Sequence, residues 1–263
     1  MRLTVTDTQG LQQLQELYEP ARQVLADILN IKVEFVPVKS HLDAVPAMLA
    51  DRLDLALSGP SEYLILQARA NAVPIVSITR PTYYSVIVVR RDSNLRSIRD
   101  LKGKKVSIGP IGSTSQHIYP CKLFLDVGLK LQSDLIPVIS QDIFNKEGLE
   151  ALIQGEVDAW VISNNLYFSI VREVGVSPRT LSIIAKSERI PGDVLVANLQ
   201  LGSRFVETMR SRILENKDLF LQALQSSSEK MKYGNSQILP AKDEDYNDLR
   251  ETYKSLGQEY LIQ

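Results

Sequence analysis

The sequence predicts an α/β fold built from two similar lobes. Three observations carry this expectation. Short apolar, β-branched runs alternate with segments of helical period from Leu3 to Ile162, the pattern of βαβ units. The run Val86-Ile-Val-Val89 is apolar at every position, as a strand buried on both faces must be. A βαβ unit also recurs: Met48-Leu-Ala-Asp-Arg-Leu-Asp-Leu-Ala-Leu57 aligns with Leu152-Ile-Gln-Gly-Glu-Val-Asp-Ala-Trp-Val161, and Val36-Pro-Val38 with Ile136-Pro-Val138. A repeat of roughly 100 residues is far too long for a solenoid and fits two copies of one lobe.

Taken in order, Leu3–Thr6 alternates as a strand. Leu11–Leu29 carries Leu14, Leu17, Ala21, Val24, Leu25 and Ile28 at helical spacing. Ile31–Val38 reads as the next strand, and a short helix runs from Asp43 to Leu49. Pro46 falls in its first turn, where a missing N–H costs little. Leu53–Leu57, Val73–Thr79 and Tyr83–Arg90 read as strands, with a helix over Ser61–Ala70. A short helix at Ile98–Gly103 precedes a strand at Lys105–Gly109 and a helix from Ser115 to Val127. Then come a strand at Leu135–Ile139, a helix at Lys146–Gln154 and a strand at Val157–Ile162. Such a series implies largely parallel sheets. From Leu201 to Gln263 the chain is polar and mostly helical. Phe205–Leu214, Leu219–Met231 and Tyr246–Leu261 are amphipathic, and packing outside one lobe is the expected role.

Composition narrows the functional classes. Thirty basic and thirty-one acidic residues leave a formal charge of −1, with no electrostatic footprint for nucleic acid. One cysteine excludes an internal disulfide, and with two histidines it leaves little for a transition-metal site. No apolar run approaches the roughly 20 residues of a membrane span. Met1-Arg2 leads straight into strand-like sequence without a leader pattern. The chain as read is therefore either cytosolic or the mature part of an exported protein.

The most informative segment is Lys105-Val-Ser-Ile-Gly-Pro-Ile-Gly-Ser-Thr-Ser-Gln116. A strand enters a glycine turn, and Ser113, Thr114 and Ser115 open a helix. Helix-start N–H groups and the dipole favour an anion, the hydroxyls add donors, and glycine lets backbone approach a ligand. A serine that only caps the helix is the plainer alternative. Ser58-Gly-Pro-Ser61, with Tyr63, follows a strand whose carboxyl end is where open α/β sheets bind ligands; a turn with an N-cap serine is the alternative there. Tyr83 and Tyr84 enter the most apolar strand and either offer a hydroxyl or pack a ring.

Enzyme signatures are missing: no G-x-S-x-G, H-E-x-x-H, Walker A or G-x-G-x-x-G pattern occurs. His41 and His117 are isolated in sequence and read as surface or structural. Cys121 and Trp160 read as core.

The segment Leu53-Asp-Leu-Ala-Leu-Ser-Gly-Pro-Ser-Glu-Tyr63 resembles the V-D-I-A-x-x-G-P-S-x-Y signature of phosphonate-type periplasmic substrate-binding proteins of ABC transporters. Tyr84-Ser-Val-Ile-Val-Val-Arg-Arg-Asp-Ser93, Asp100-Leu-Lys-Gly103, Ser113-Thr-Ser115, Gly155-Glu-Val-Asp-Ala159, Arg189-Ile-Pro191 and Leu239-Pro-Ala-Lys-Asp-Glu-Asp-Tyr246 follow in the family's order. The resemblance covers nearly the whole chain. It implies a two-lobed type II periplasmic-binding fold with residues 1–84 and 190–263 in one lobe, 85–189 in the other, and the ligand in a cleft that closes by hinge motion.

By the same resemblance, Ser113, Thr114, Ser115 and Tyr84 hold a phosphonate, phosphite or phosphate, with Tyr83, Ser58, Ser61 and Asn164 as further candidates. It implies no enzymatic activity and no cofactor or metal. The partners would be a small oxyanion and an ABC permease, with a monomeric state and a periplasmic or membrane-anchored extracytoplasmic location; a cytoplasmic one stays open. A sensor domain of the same fold and a cytosolic enzyme on it are the alternatives. Four departures from the family pattern stand out. Gln116 replaces a glycine after Ser-Thr-Ser, placing a long polar side chain at the site's edge. Ser140–Lys146 lacks a Ser-His pair, Ser163-Asn-Asn165 stands where an aspartate is common, and no tyrosine lies near His41–Asp43. They point away from an aminoalkyl tail and toward a smaller or different anion.

Overall fold

The structure is a computed structural model and describes residues 1–7, 10–38, 43–142, 144–226 and 230–263. Its strands are β1 (Arg2–Val5), β2 (Glu34–Phe35), β3 (Leu55–Ser58), β4 (Val73–Ile78), β5 (Ser85–Arg90), β6 (Lys105–Ile108), β7 (Ile136–Ile139), β8 (Ala159–Ser163), β9 (Leu181–Lys186), β10 (Asp193–Ala197) and β11 (Ile238–Pro240). The α-helices are α1 (Gly10–Leu29), α2 (Ala44–Leu49), α3 (Pro60–Ala70), α4 (Tyr119–Asp126), α5 (Leu131–Asp134), α6 (Lys146–Gln154), α7 (Asn164–Glu173), α8 (Ser203–Glu215), α9 (Lys217–Gln225), α10 (Lys230–Tyr233) and α11 (Asn247–Ser255). His41 lies outside the described residues, as does the neighbourhood where a family tyrosine was sought up to Leu42.

The chain forms two compact units, Met1–Pro81 with Pro191–Glu251 and Gln258–Gln263, and Thr82–Ile190 with Thr252–Gly257. The boundaries differ from those read in the sequence at three places, of which Ile190, now in the second unit, is one. Thr82–Tyr84 belong with the second unit, where Asn164 and Ile190 bond to them. Thr252–Gly257 also belong there, and Leu256 packs on that unit's core.

The first unit holds a six-stranded sheet in the order β11-β4-β10-β3-β1-β2. β1 runs parallel to β2 and β3, whereas β10 lies antiparallel between β3 and β4 and β11 is antiparallel to β4. The second unit's sheet is β7-β6-β8-β5-β9. There β6 runs parallel to β7 and β8, and β5 lies antiparallel between β8 and β9. The expectation of largely parallel sheets is thus corrected to mixed ones. In each unit the strand that the crossing chain delivers, β10 or β5, enters against its neighbours.

This shared plan is the physical content of the repeat. α2 and β3 correspond to α6 and β8, and β2 and β7 both flank the parallel centre. At the aligned turn positions Asp51 and Gly155 both take left-handed backbone, with φ of 50° and 80°, so the same tight turn joins helix to strand in both copies.

Packing follows the side-chain periods. Val86 and Val88 face one apolar cluster, with Leu149, Leu152 and Trp160; Ile87 and Val89 face the other, with Leu101, Val106 and Phe124. The continuous run is needed because both faces of β5 are covered. In the first unit the stripe of Leu14, Tyr18, Ala21 and Leu25 on α1 packs on Leu3, Val5, Leu55 and Leu57, with Val206, Met209 and Ile213 of α8 and Phe220 of α9 in the same core. α8 and α9 therefore pack on one unit as the sequence suggests, whereas α11 is divided, its last residues from Thr252 belonging to the second unit. The Tyr246–Leu261 stretch is shorter than expected as a helix: α11 ends at Ser255, and Gly257 at φ 66° terminates it. Of Ile31–Val38, only Glu34 and Phe35 pair as a strand.

Candidate functional site

β6 delivers the chain into Gly109-Pro-Ile-Gly112, and Gly112 adopts φ 93°, a conformation that glycine takes without strain. Its N–H donates to His117 Nδ1 at 3.3 Å, and Ser113 N–H donates to Pro110 O at 3.0 Å. The turn closes on itself and fixes where the following helix starts. That helix opens as a π-helical turn, Thr114–Ile118, running into α4. Both His117 N–H (2.9 Å) and Ile118 N–H (3.0 Å) go to Ser113 O. The amides of Thr114, Ser115 and Gln116 precede those first helical bonds, at the positive end of the helix dipole. Ser113, Thr114 and Ser115 are all buried. Wide π turns of this kind recur at functional sites.

Two neighbours define the lining. His117 is buried, and burial holds its imidazole below the ordinary histidine value; it is structural and neutral. Gln116 is also buried, and a Cβ placed on Gly109 would lie 2.6 Å from both its Cβ and Oε1. The Gln116 side chain is therefore folded against Gly109, the residue that opens the turn.

The start of β5 is tied to this helix. Ser85 Oγ donates to Ser115 O. Ser85 N–H donates to Ser187 Oγ at 2.9 Å, and Ser187 N–H returns to Ser85 O at 3.0 Å. Asn164, first residue of α7, donates its N–H to Tyr84 O at 2.9 Å and its Nδ2 to Thr82 O at 3.2 Å. Ile190 N–H caps Tyr83 O at 2.9 Å. The second unit thus brings Tyr83, Tyr84, Asn164 and Ser115 together around one strand entry. Tyr84 is half-buried, while Tyr83 is buried. Sequence reasoning missed Lys186: it ends β9 with Nζ 4.2 Å from the Tyr84 ring centroid, a cation–π distance. Only the pairing of Lys186 with Val86 across β9 and β5 brings it there.

Ser140–Lys146 has a different job. Asn145, at φ 44° and fully buried, accepts from Ser107 Oγ (3.1 Å), donates to Val161 O (3.2 Å) and accepts from Trp160 Nε1 (2.9 Å) through its carbonyl. This is a packing knot, and Trp160 is core. Cys121 is buried too, which pushes its thiol up to about 12.

The first unit contributes Ser58 and Ser61. Ser58 ends β3, and its buried hydroxyl has no hydrogen-bond partner. Gly59 is extended, Pro60 opens α3, and Ser61 is fully buried in its first turn. Tyr63 does not line a site: it donates to Asp243 at 2.5 Å and stacks 4.5 Å from the Tyr246 ring, and burial followed by Asp243 raises its phenol well above the usual value.

Two α/β units of one plan, with a hydroxyl-rich helix start beyond the carboxyl ends of parallel strands, define the class of type II periplasmic solute-binding folds. Residues 3–246 match the family model described as ABC transporter, phosphonate, periplasmic substrate-binding protein, and the chain belongs to that family. It is 27% identical over 217 residues to the phosphate-import protein PhnD of Mycolicibacterium smegmatis, covering 77% of this chain and 67% of that protein. With the phosphonates-binding periplasmic protein of Escherichia coli it shares 23% over 219 residues, 80% of this chain and 63% of the relative. The chain thus spans about two thirds of the length of the curated relatives it matches. The structure of PhnD1 from Prochlorococcus marinus in complex with methylphosphonate superposes with a TM-score of 0.79 at 17% identity, over 98% of both chains. That likeness concerns the fold. Among the described residues, no helix is long and apolar enough to cross a membrane.

Proposed function

We propose that this chain is the periplasmic solute-binding component of an ABC importer and that it captures a small phosphorus oxyanion: a phosphonate, phosphite or phosphate. The observation that carries the reading is the π-helical start at Ser113–Ser115, where three buried hydroxyl residues stand at the leading amides of the helix. Taking an oxyanion out of water is costly unless its oxygens are hydrogen-bonded. Hydrogen bonds to a charged group contribute about 1.5–3 kcal/mol each, and the helix dipole adds to them without a fixed cation. Ser113, Thr114 and Ser115 supply the donors, and Tyr84 adds a phenol from a backbone whose carbonyl accepts from Asn164 N–H. Tyr83 supports that strand entry, and Ser58 and Ser61, at the carboxyl end of β3 and the start of α3, are further candidate hydroxyls. The partners in this reading are the oxyanion and a membrane permease, and the protein acts as a monomer without cofactor.

The test is calorimetric titration of protein stripped of ligand by unfolding and refolding, against phosphate, phosphite, methylphosphonate, 2-aminoethylphosphonate and sulfate. Micromolar or tighter binding of one phosphorus anion is expected, with 2-aminoethylphosphonate the weakest of them. Silence across all five overturns the reading.

A further inference from the structure

We propose that Ser85 is a positioning residue of the anion site, acting through the peptide group between Ser115 and Gln116; the inference rests on the function proposed above. The first turn of this helix lacks a donor. In a π turn a carbonyl accepts from the N–H five residues on, and in an α turn from the N–H four residues on. For Ser115 O those are residues 120 and 119. Pro120 has no N–H, and Tyr119 N–H goes to Thr114 O. The helix itself therefore offers Ser115 O neither of its two donors. Ser85 supplies the missing one: its hydroxyl, fully buried at the entry of β5, donates to Ser115 O. The next carbonyl is met in the same way. An α turn would pair Gln116 O with residue 120, and it accepts instead from Gly109 N–H at 3.3 Å. The sheet thus stands in for the proline at both carbonyls and holds the wide register of the turn.

The bond to Ser115 O bears on a ligand because a peptide group is one planar unit. The Ser115 carbonyl and the Gln116 N–H belong to the same unit and point in opposite directions, so a donor on the oxygen fixes the aim of the N–H. It also polarises that N–H, since hydrogen bonds in a chain strengthen one another by roughly 10–30% each. Gln116 N–H is one of the three leading amides of the helix start. Ser85 O–H, Ser115 C=O, Gln116 N–H and an anion oxygen then form one cooperative chain, and its protein members all lie within the second unit. A serine at the head of β5 serves this end, where the strand from Val86 to Val89 is otherwise apolar and buried.

The experiment measures methylphosphonate affinity and the ligand-free amide spectrum of wild type, Ser85→Ala, Pro120→Ala and the double variant, with melting temperatures alongside. Ser85→Ala is expected to bind about three- to tenfold more weakly, the loss of one hydrogen bond, and to move the Gln116 amide upfield by more than that of Thr114. Pro120→Ala, which returns an N–H to the helix, binds as wild type. In the double variant that N–H takes over Ser115 O, and most of the affinity and of the Gln116 shift return. Unchanged affinity in Ser85→Ala overturns this inference alone, and so does an unmoved Gln116 amide, even where the melting temperature falls, because that marks a packing role only. A loss that Pro120→Ala fails to relieve overturns it as well. A wild type that binds none of the phosphorus anions overturns the functional reading and this inference with it.

Discussion

Thr114 sits at the helix start with its side chain buried, so a carboxylate there would meet an incoming anion at close range in a dry setting. Thr114→Glu is expected to abolish phosphorus-anion binding while the fold, followed by circular dichroism, stays intact; retained affinity would place the anion elsewhere. Lys186 makes a second test. Its ammonium over the Tyr84 ring adds positive charge beside the phenol, so Lys186→Met is expected to weaken binding several-fold and to flatten its salt dependence, with Lys186→Arg close to wild type. At this scale the sequence was informative where chemistry is local. The glycine turn and three consecutive hydroxyl residues mark the proposed anion site in the sequence because neighbours in sequence are neighbours in space. Lys186 was invisible because only strand pairing brings it to Tyr84. The packing of Gln116 on Gly109 was not legible, because it depends on the π turn, which no spacing rule announces.

Elements carry a different kind of constraint. Gly148 shows it in α6: a Cβ there would lie 2.2 Å from Ser107 Oγ, 2.3 Å from Asn145 Oδ1 and 2.8 Å from Trp160 Cδ1. Gly148→Ala is expected to destabilise by about 1–3 kcal/mol, the usual cost of overpacking, read from the urea midpoint. At the entry of β10, Asp193 is fully buried and bonded to Arg80 (3.1 Å), Lys232 (2.8 Å) and Tyr233 (2.7 Å). Burial alone would raise its carboxyl, but Lys232 and Arg80 outweigh that and hold it down at about 2. The unfolded value is about 3.9, so the group binds protons more readily unfolded. Its contribution to stability is complete above that unfolded value and is lost as pH falls through about 2. The stability gap between wild type and Asp193→Asn is therefore expected to close on acidification across that window; a gap independent of pH would contradict the ionic account.

These strands also mark where reading the sequence stopped. β10, β9 and β11 were not anticipated, nor was α7. β10 opens on a charged residue and owes its place to pairing with β3 and β4, more than 100 residues away in the chain. β5 was legible because a strand covered on both faces needs an apolar residue at every position.

For the molecule as a whole, the repeat was the decisive signal. Met48–Leu57 and Leu152–Val161 occupy equivalent places in two sheets of one plan, and their turns share left-handed backbone at Asp51 and Gly155. Two lobes follow from that alone. The domain boundaries do not, because the return of Thr252–Gly257 to the second unit rests on packing that no periodicity reveals. A ligand that binds only the folded protein stabilises it by mass action, by about 2.7 kcal/mol at a concentration of 100 times Kd. Methylphosphonate is therefore expected to raise the melting temperature of wild type and to leave that of Thr114→Glu unchanged.

The measurement that bears most directly on the central claim is an amide chemical-shift map of the ligand-free protein titrated with methylphosphonate. The account predicts the largest and saturable changes at the N–H groups of Thr114, Ser115 and Gln116. Saturation with those three amides unmoved would contradict it.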